Sequence, residues 1–228
     1  GRPRKQNPVT DSPANLGPRE SNQPEKVFFV SLGCPKNQVD SELMLGELTA
    51  RNMLIVEDAE DADVLVVNTC SFIEEAREES VDTILELAHI KANTTKNQKL
   101  VVAGCLPQRY EEELKTELPE VDLFLGTGDI AKIGELIAPS MGGVLPMAPR
   151  SVVGRPGYNY DAYSPRVQTT PVWTSYVKIA EGCSQVCAFC IIPRLRGGQK
   201  SRGQADIVAE VRALAERGVK EINLIAQD

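Results

Sequence analysis

Cysteine is the residue type in this sequence with the most chemistry to offer, and its placement is regular. Of six cysteines, three fall in the stretch GCSQVCAFC as Cys183, Cys187 and Cys190, a C-x3-C-x2-C spacing. The other three, Cys34, Cys70 and Cys105, recur at intervals of 36 and 35 residues, about the length of one strand-helix repeat. Cytosolic reductants keep ordinary thiols reduced, so in a chain read as intracellular this pattern points to metal ligation or catalysis before disulfides.

Three thiols this close together admit three uses. A closed zinc site needs a fourth ligand, and no histidine is near: the single histidine, His89, falls on a predicted helix and reads as a surface or packing residue. A redox pair of Cys187 and Cys190 has the C-x2-C spacing but leaves Cys183 unexplained. A four-iron cubane held by three thiolates uses all three residues and leaves one iron open to a substrate or cofactor.

The elements that must position these thiols alternate. VFFVSL, ADVLVVN, KLVVAG and VDLFLG are short apolar runs rich in strand formers. Each is followed by a short loop and a helical pattern. In VDSELMLGELTAR, Val39, Leu43, Leu45 and Leu48 point inward; from Phe72 to Ile90, Ile73, Ala76, Ser80, Ile84 and Leu87 share a face, with Glu74 and Glu75 in the first turn. The loop CLPQ leads into a helix through Tyr110 and Leu114, and TGD into the helix IAKIGELIA. Strand-helix alternation implies an α/β fold with a parallel sheet whose strand C-termini share one edge, where open sheets bind ligands. Cys34, Cys70 and Cys105 each follow a strand and so reach that rim. Three buried structural cysteines are the competing reading; a three-thiolate cluster site is the sharper one.

The organisation along the chain follows from composition. Residues 1–25, rich in Pro, Asn and Ser without apolar periodicity, read as a disordered tail, and 26–138 as the first α/β domain. Residues 139–171 shift to Pro, Gly, Tyr and Ser and read as a linker. From 172 to 228, strand TSYVKIA, the second cysteine loop, helix QADIVAEVRALAERG and strand VKEINLIA form another β-loop-α-β unit, the start of a parallel barrel or sheet. A net charge of −7 argues against a phosphate-binding surface over the whole chain. No apolar run approaches the ~20 residues of a membrane helix, and the Arg/Pro-rich first residues lack the apolar centre of a secretory signal, so the expectation is a cytoplasmic protein without membrane contact. The first residue is Gly1 and the last follows a strand-like run, so the chain reads as a fragment. Arg194, Arg196 and Arg202 beside the second cysteine loop could contact a cofactor or an acidic substrate, but a solvated face is the default for such a cluster.

C-x3-C-x2-C on a strand-to-helix loop resembles the radical S-adenosylmethionine enzymes, whose open iron binds the amino and carboxylate groups of that cofactor. The resemblance implies that an electron from the cluster cleaves the sulfonium to a 5′-deoxyadenosyl radical, able to abstract hydrogen from an unactivated carbon. A three-cysteine α/β domain ahead of such a unit is similar to the methylthiotransferases, which use a second cluster in adding a methylthio group to carbon. Within that family SLGCPKNQVDSE, NTCSFIEEAREES, GCLPQRY, PEVD, KIAEGC, IIPRLRG and INLIAQD resemble the branch that modifies an aspartate of ribosomal protein S twelve. The branch that acts on adenosine of transfer RNA has a first motif closer to GCQMN, and RE in place of FI after NTC.

The resemblance covers about 27–228 and implies two [4Fe-4S] clusters. Cys34, Cys70 and Cys105 would ligate the auxiliary one; Cys183, Cys187 and Cys190 would ligate the radical cluster that binds S-adenosylmethionine and carries the catalysis. One S-adenosylmethionine would supply the radical and another the methyl group. It implies as partners ribosomal protein S twelve or the small ribosomal subunit, with an electron donor such as flavodoxin or ferredoxin, and a monomer. The rest of the barrel and a small C-terminal β-barrel domain are expected of that family and absent here, so this chain alone is expected to be inactive. A transfer-RNA methylthiotransferase and a non-catalytic iron-sulfur or zinc module remain the alternatives.

Overall fold

The computed structural model describes residues 24–137 and 150–227. All but the last two residues of the expected tail, and 139–149 of the expected linker, lie outside the described residues. Strand β1 (Lys26–Ser31) is followed by helix α1 (Pro35–Ala50), β2 (Leu54–Val56), β3 (Val64–Thr69), α2 (Glu74–Asn93), β4 (Lys99–Gly104), α3 (Cys105–Glu117) and β5 (Leu123–Gly126). A 3-10 turn (Ile130–Lys132) leads into α4 (Ile133–Ile137), and β6 (Ser151–Val152) completes one sheet. Its strands are all parallel, in the order β2-β1-β3-β4-β5-β6. The expected α/β architecture with a parallel sheet is borne out.

The sheet is covered on both faces, which is why its strands read as continuous apolar runs. Val64 and Val66 of β3 pack with Val39, Leu43, Met44 and Leu48 of α1 and Ile133 of α4. Leu65 and Val67 face the other way, onto Ile84 and Leu87 of α2 and Leu106 and Leu114 of α3. Every residue of β3 is buried, and each such aliphatic side chain contributes about 1.5–3 kcal/mol relative to exposure. From β1 the chain turns to β2 on one side, while β3 lies on the other. The gap between the C-terminal ends of β1 and β3 is therefore the switch point at which doubly wound sheets hold ligands.

The second unit comprises β7 (Thr174–Lys178), β8 (Ala180–Glu181), α5 (Ile192–Arg196), β9 (Lys200–Ser201), α6 (Gln204–Glu216) and β10 (Glu221–Ile225). β7 and β10 pair in parallel, and α6 packs Leu214 against Val177 and Val219. Tyr160, Tyr176 and Ile225 join the core on the α1 side of the first sheet, so the two units share a packed boundary. Among the described residues no helix is long and apolar enough to cross a membrane.

Several local expectations are corrected. α1 begins at Pro35, with Cys34 as its N-cap, rather than at Val39: a proline at the first helical position has no N–H to satisfy and its φ is already set. CLPQ is no loop, since α3 starts at Cys105. Ile73, expected inward, is 53% exposed, because it is the extended N-cap of α2 and not part of the helix face. Strands β2 and β6 were not expected; β6 falls inside 139–171 and extends the first sheet. His89 is exposed, as expected. Arg194 is exposed too, but Arg196 and Arg202 are buried at 3% and 7%, against the solvated face expected for them, because both are paired with carboxylates.

Candidate cluster sites

Cys34 caps α1 after β1, Cys70 follows β3 directly, and Cys105 follows β4 and opens α3. The three strand ends around the switch point thus each deliver one thiol. All three cysteines line a single, mostly apolar cavity of about 660 Å³, to which Ile192, Leu195 and Arg196 of α5 and Ile225 also contribute. Gly33 makes the approach possible. Its φ is +91°, and a Cβ there would stand 2.7 Å from the Cβ of Cys70, so no other residue fits between the two sites.

Hydrogen bonds fix the backbone behind the thiols. Ser80 Oγ accepts from the Cys70 N–H at 3.1 Å, and Ser71 Oγ donates to the Cys105 carbonyl at 2.9 Å. Thr69 Oγ1 donates to the Ala103 carbonyl at 2.6 Å, tying β3 to β4. Asn37, fully buried, donates from Nδ2 to the carbonyls of Leu32 at 3.2 Å and Thr69 at 2.8 Å, which clamps the ends of β1 and β3. Its Oδ1 lies 3.7 Å from Cys105 Sγ.

Behind the thiols lies a buried charge cluster contributed by both units. From α1 come Lys36 and Asp40; from the second unit come Lys178, Glu181 and Arg196, all 5% exposed or less. Lys178 Nζ donates to Asp40 Oδ1 at 2.5 Å and Glu181 Oε2 at 2.8 Å. Lys36 Nζ donates to the Ala180 carbonyl at 2.6 Å and lies 3.6 Å from Glu181. Arg196 donates to Asp40 and Asn37 through separate nitrogens and reaches Cys105 Sγ at 3.5 Å. Burial alone would push the Glu181 carboxyl up, but Lys178, Arg196 and Lys36 outweigh it and hold it down to about 2. Burial pulls the Lys36 ammonium down to about 8, against the attraction of Glu181. Burial likewise pushes the Cys105 thiol up to about 11; Arg196 opposes this, while Cys70 and Cys34 add to the rise.

Three cations against two carboxylates give this cluster a net positive charge, next to three thiols. A thiolate-bound iron-sulfur group would bring negative charge to this net positive cluster. The donor set and its charge therefore fit such a group. Among the described residues no three His, Cys, Asp or Glu side chains stand close enough to hold one metal ion; a four-iron cluster instead takes each thiolate on a different iron.

The second set of thiols sits on the loop between β8 and α5, outside that cavity. Cys183 is buried, Cys190 half-buried and Cys187 exposed. Cys183 N–H donates to the Gly197 carbonyl at 3.1 Å, and Cys190 N–H to the Cys187 carbonyl at 3.1 Å. Gly182 has a φ of +72°, and a Cβ there would meet the Gly197 carbonyl oxygen at 2.4 Å, so this loop also depends on a glycine directly before its first cysteine. Between the thiols, Val186 and Phe189 are 98% and 94% exposed.

Asn37, Asp40, Lys36, Lys178, Glu181 and Arg196 were not foreseen as site residues, Arg196 excepted as a possible contact. A signal was present: Lys36, Asn37, Asp40 and Ser41 recur at helical spacing behind Cys34, a polar stripe on a helix that also carries the apolar one.

A doubly wound α/β domain with three thiols at its switch point, abutting a unit with three more on a strand-to-helix loop, is the class of chain these features define. Residues 26–126 match the model of Uncharacterized protein family UPF0004. The chain is also 53% identical over 209 residues to "Ribosomal protein uS12 methylthiotransferase RimO" of Myxococcus xanthus, covering 92% of this chain and 42% of the relative. It is 53% identical over 205 residues to the protein of that name from Geotalea uraniireducens (90% and 45%), and 50% over 210 residues to that of Geobacter sulfurreducens (91% and 46%). The resemblance read from the motifs is borne out. The chain spans a little under half the length of these relatives.

Proposed function

We propose that this chain is the front part of a radical S-adenosylmethionine methylthiotransferase that adds a methylthio group to the β-carbon of an aspartate in ribosomal protein S twelve. The observation that carries the reading is the delivery of Cys34, Cys70 and Cys105 from three strand ends into one cavity beside a net positive cluster. The relatives' names support the substrate.

In this reading Cys34, Cys70 and Cys105 hold the auxiliary [4Fe-4S] cluster, and Cys183, Cys187 and Cys190 hold the radical one. When bound, the clusters supply an electron to cleave S-adenosylmethionine and a site for the sulfur to be inserted. The chain's own residues seat the two groups on separate loops. Ile192, Leu195 and Ile225 give the first cavity its apolar wall. The exposed loop at Cys187 and Phe189 leaves the second site open toward cofactor and substrate. The setting is the cytoplasm, the electron donor a small protein such as flavodoxin or ferredoxin, and the protein a monomer.

The test uses the full-length protein, reconstituted without oxygen and given reductant, S-adenosylmethionine and ribosomal protein S twelve. The expected products are 5′-deoxyadenosine and a methylthiolated aspartate, seen by mass spectrometry, with both lost in Cys183→Ala. No 5′-deoxyadenosine from a cluster-loaded protein contradicts the radical chemistry. Methylthiolation of transfer RNA instead contradicts the substrate.

A further inference from the structure

Among the described residues Arg196 is the one guanidinium that touches a cysteine of the first site, and it comes from the second unit. Its Nη2 lies 3.5 Å from Cys105 Sγ. Asp40 and Asn37, both on α1, grip its other donors, and Glu181 stands 3.7 Å away. The side chain is 3% exposed. Burial works against its charge, but Asp40 and Glu181 keep the guanidinium charged. It cannot lose its proton in any ordinary range. The cation nearest the thiols is therefore permanent, and its direction is set by a rigid fork.

We propose that Arg196 is a positioning residue for the first thiol site: from the second unit it hydrogen-bonds the sulfur of Cys105 and sets the reduction potential of the group that the three thiols hold. The inference rests on the reading that Cys34, Cys70 and Cys105 ligate an iron-sulfur cluster. Hydrogen bonds to the sulfurs and net local charge are the levers by which a protein tunes such a cluster. A fixed cation favours the reduced state, which carries one more negative charge. Because α5 follows the C-x3-C-x2-C loop, the same residue makes the properties of the first site depend on the seating of the second.

The test isolates the first cluster in the chain carrying Cys183→Ala, Cys187→Ala and Cys190→Ala, reconstituted anaerobically. Arg196→Gln and Asp40→Asn are each added to that background. Folding is followed by circular dichroism, loading by iron and labile sulfide, and the midpoint potential by electron paramagnetic resonance in a redox titration. With about four irons bound, Arg196→Gln is expected to lower the one-electron reduction equilibrium at least tenfold, about 59 mV more negative. Asp40→Asn removes an anion from the same place and is expected to move the potential the opposite way. A loaded Arg196→Gln chain with an unchanged potential overturns the inference. Where that variant fails to fold or load, Asp40→Asn decides, and an unchanged or lowered potential overturns it. No iron in the folded background chain overturns the cluster reading itself, a result distinct from both.

Discussion

Lys178→Met lowers the stability of this protein by about 3–5 kcal/mol, because removing one partner of a buried ion pair strands the charges it compensated. The Lys178 ammonium is fully buried, 2.5 Å from Asp40 and 2.8 Å from Glu181. Burial alone would favour the neutral amine, yet Asp40 and Glu181 more than offset it and the amine stays protonated. Methionine nearly matches the stem but not the charge. Asp40 then keeps only Arg196, and Glu181 is left with the Gly182 N–H at 3.3 Å and longer contacts to Lys36 and Arg196. In a chain of this size the expected fall in Tm is roughly 6–20 °C. An exposed pair would be worth about 0–1 kcal/mol. A urea-unfolding midpoint that moves by no more than that equivalent contradicts the buried geometry.

Arg166→Met is the second large effect, and it acts on how the two units hold together. Arg166 lies in the stretch read as linker, but its side chain is 8% exposed. It donates from Nε to Glu42 on α1 and from Nη1 to Glu210 on α6, both at 2.7 Å, and from Nη2 to the Tyr176 carbonyl at 2.7 Å. Glu210 would keep Arg202 at 2.5 Å and the Tyr160 hydroxyl at 2.9 Å. Glu42, fully buried, would keep only the donors of Thr169 and Thr170. The expected cost is again about 3–5 kcal/mol. Its location is specific: amide exchange should accelerate in α6 and β7 while β3 and β4 stay protected. Uniform acceleration, or none, contradicts a clamp between units.

Both residues show where the sequence was readable and where it was not. Strands β1, β3, β4 and β5 were legible because a parallel sheet covered on both faces demands unbroken apolar runs. The cysteine positions were legible for the same reason, since strand ends in such a sheet share one edge. The boundary between units was not. Lys36, Asn37, Asp40, Ser41 and Glu42 make the first turns of α1 look solvated, and Lys36 and Asn37 were left out of the helix, yet all five are 5% exposed or less. A polar face buried against another polar face has the same sequence signature as one facing water. Arg196 and Arg202 were misread on that ground, and Arg166 was passed over. Strands β2 and β6, three and two residues long, are too short to show a period.

The most direct measurement is iron and acid-labile sulfide per chain after anaerobic reconstitution. It is made on the parent, on Cys34→Ala/Cys70→Ala/Cys105→Ala, and on Cys183→Ala/Cys187→Ala/Cys190→Ala. Two independent three-thiol sites predict about eight irons in the parent and about four in each triple variant. Iron near zero in a folded parent, with zinc or disulfide in its place, contradicts the account, as does loss of all iron from a folded variant that keeps three of the six thiols.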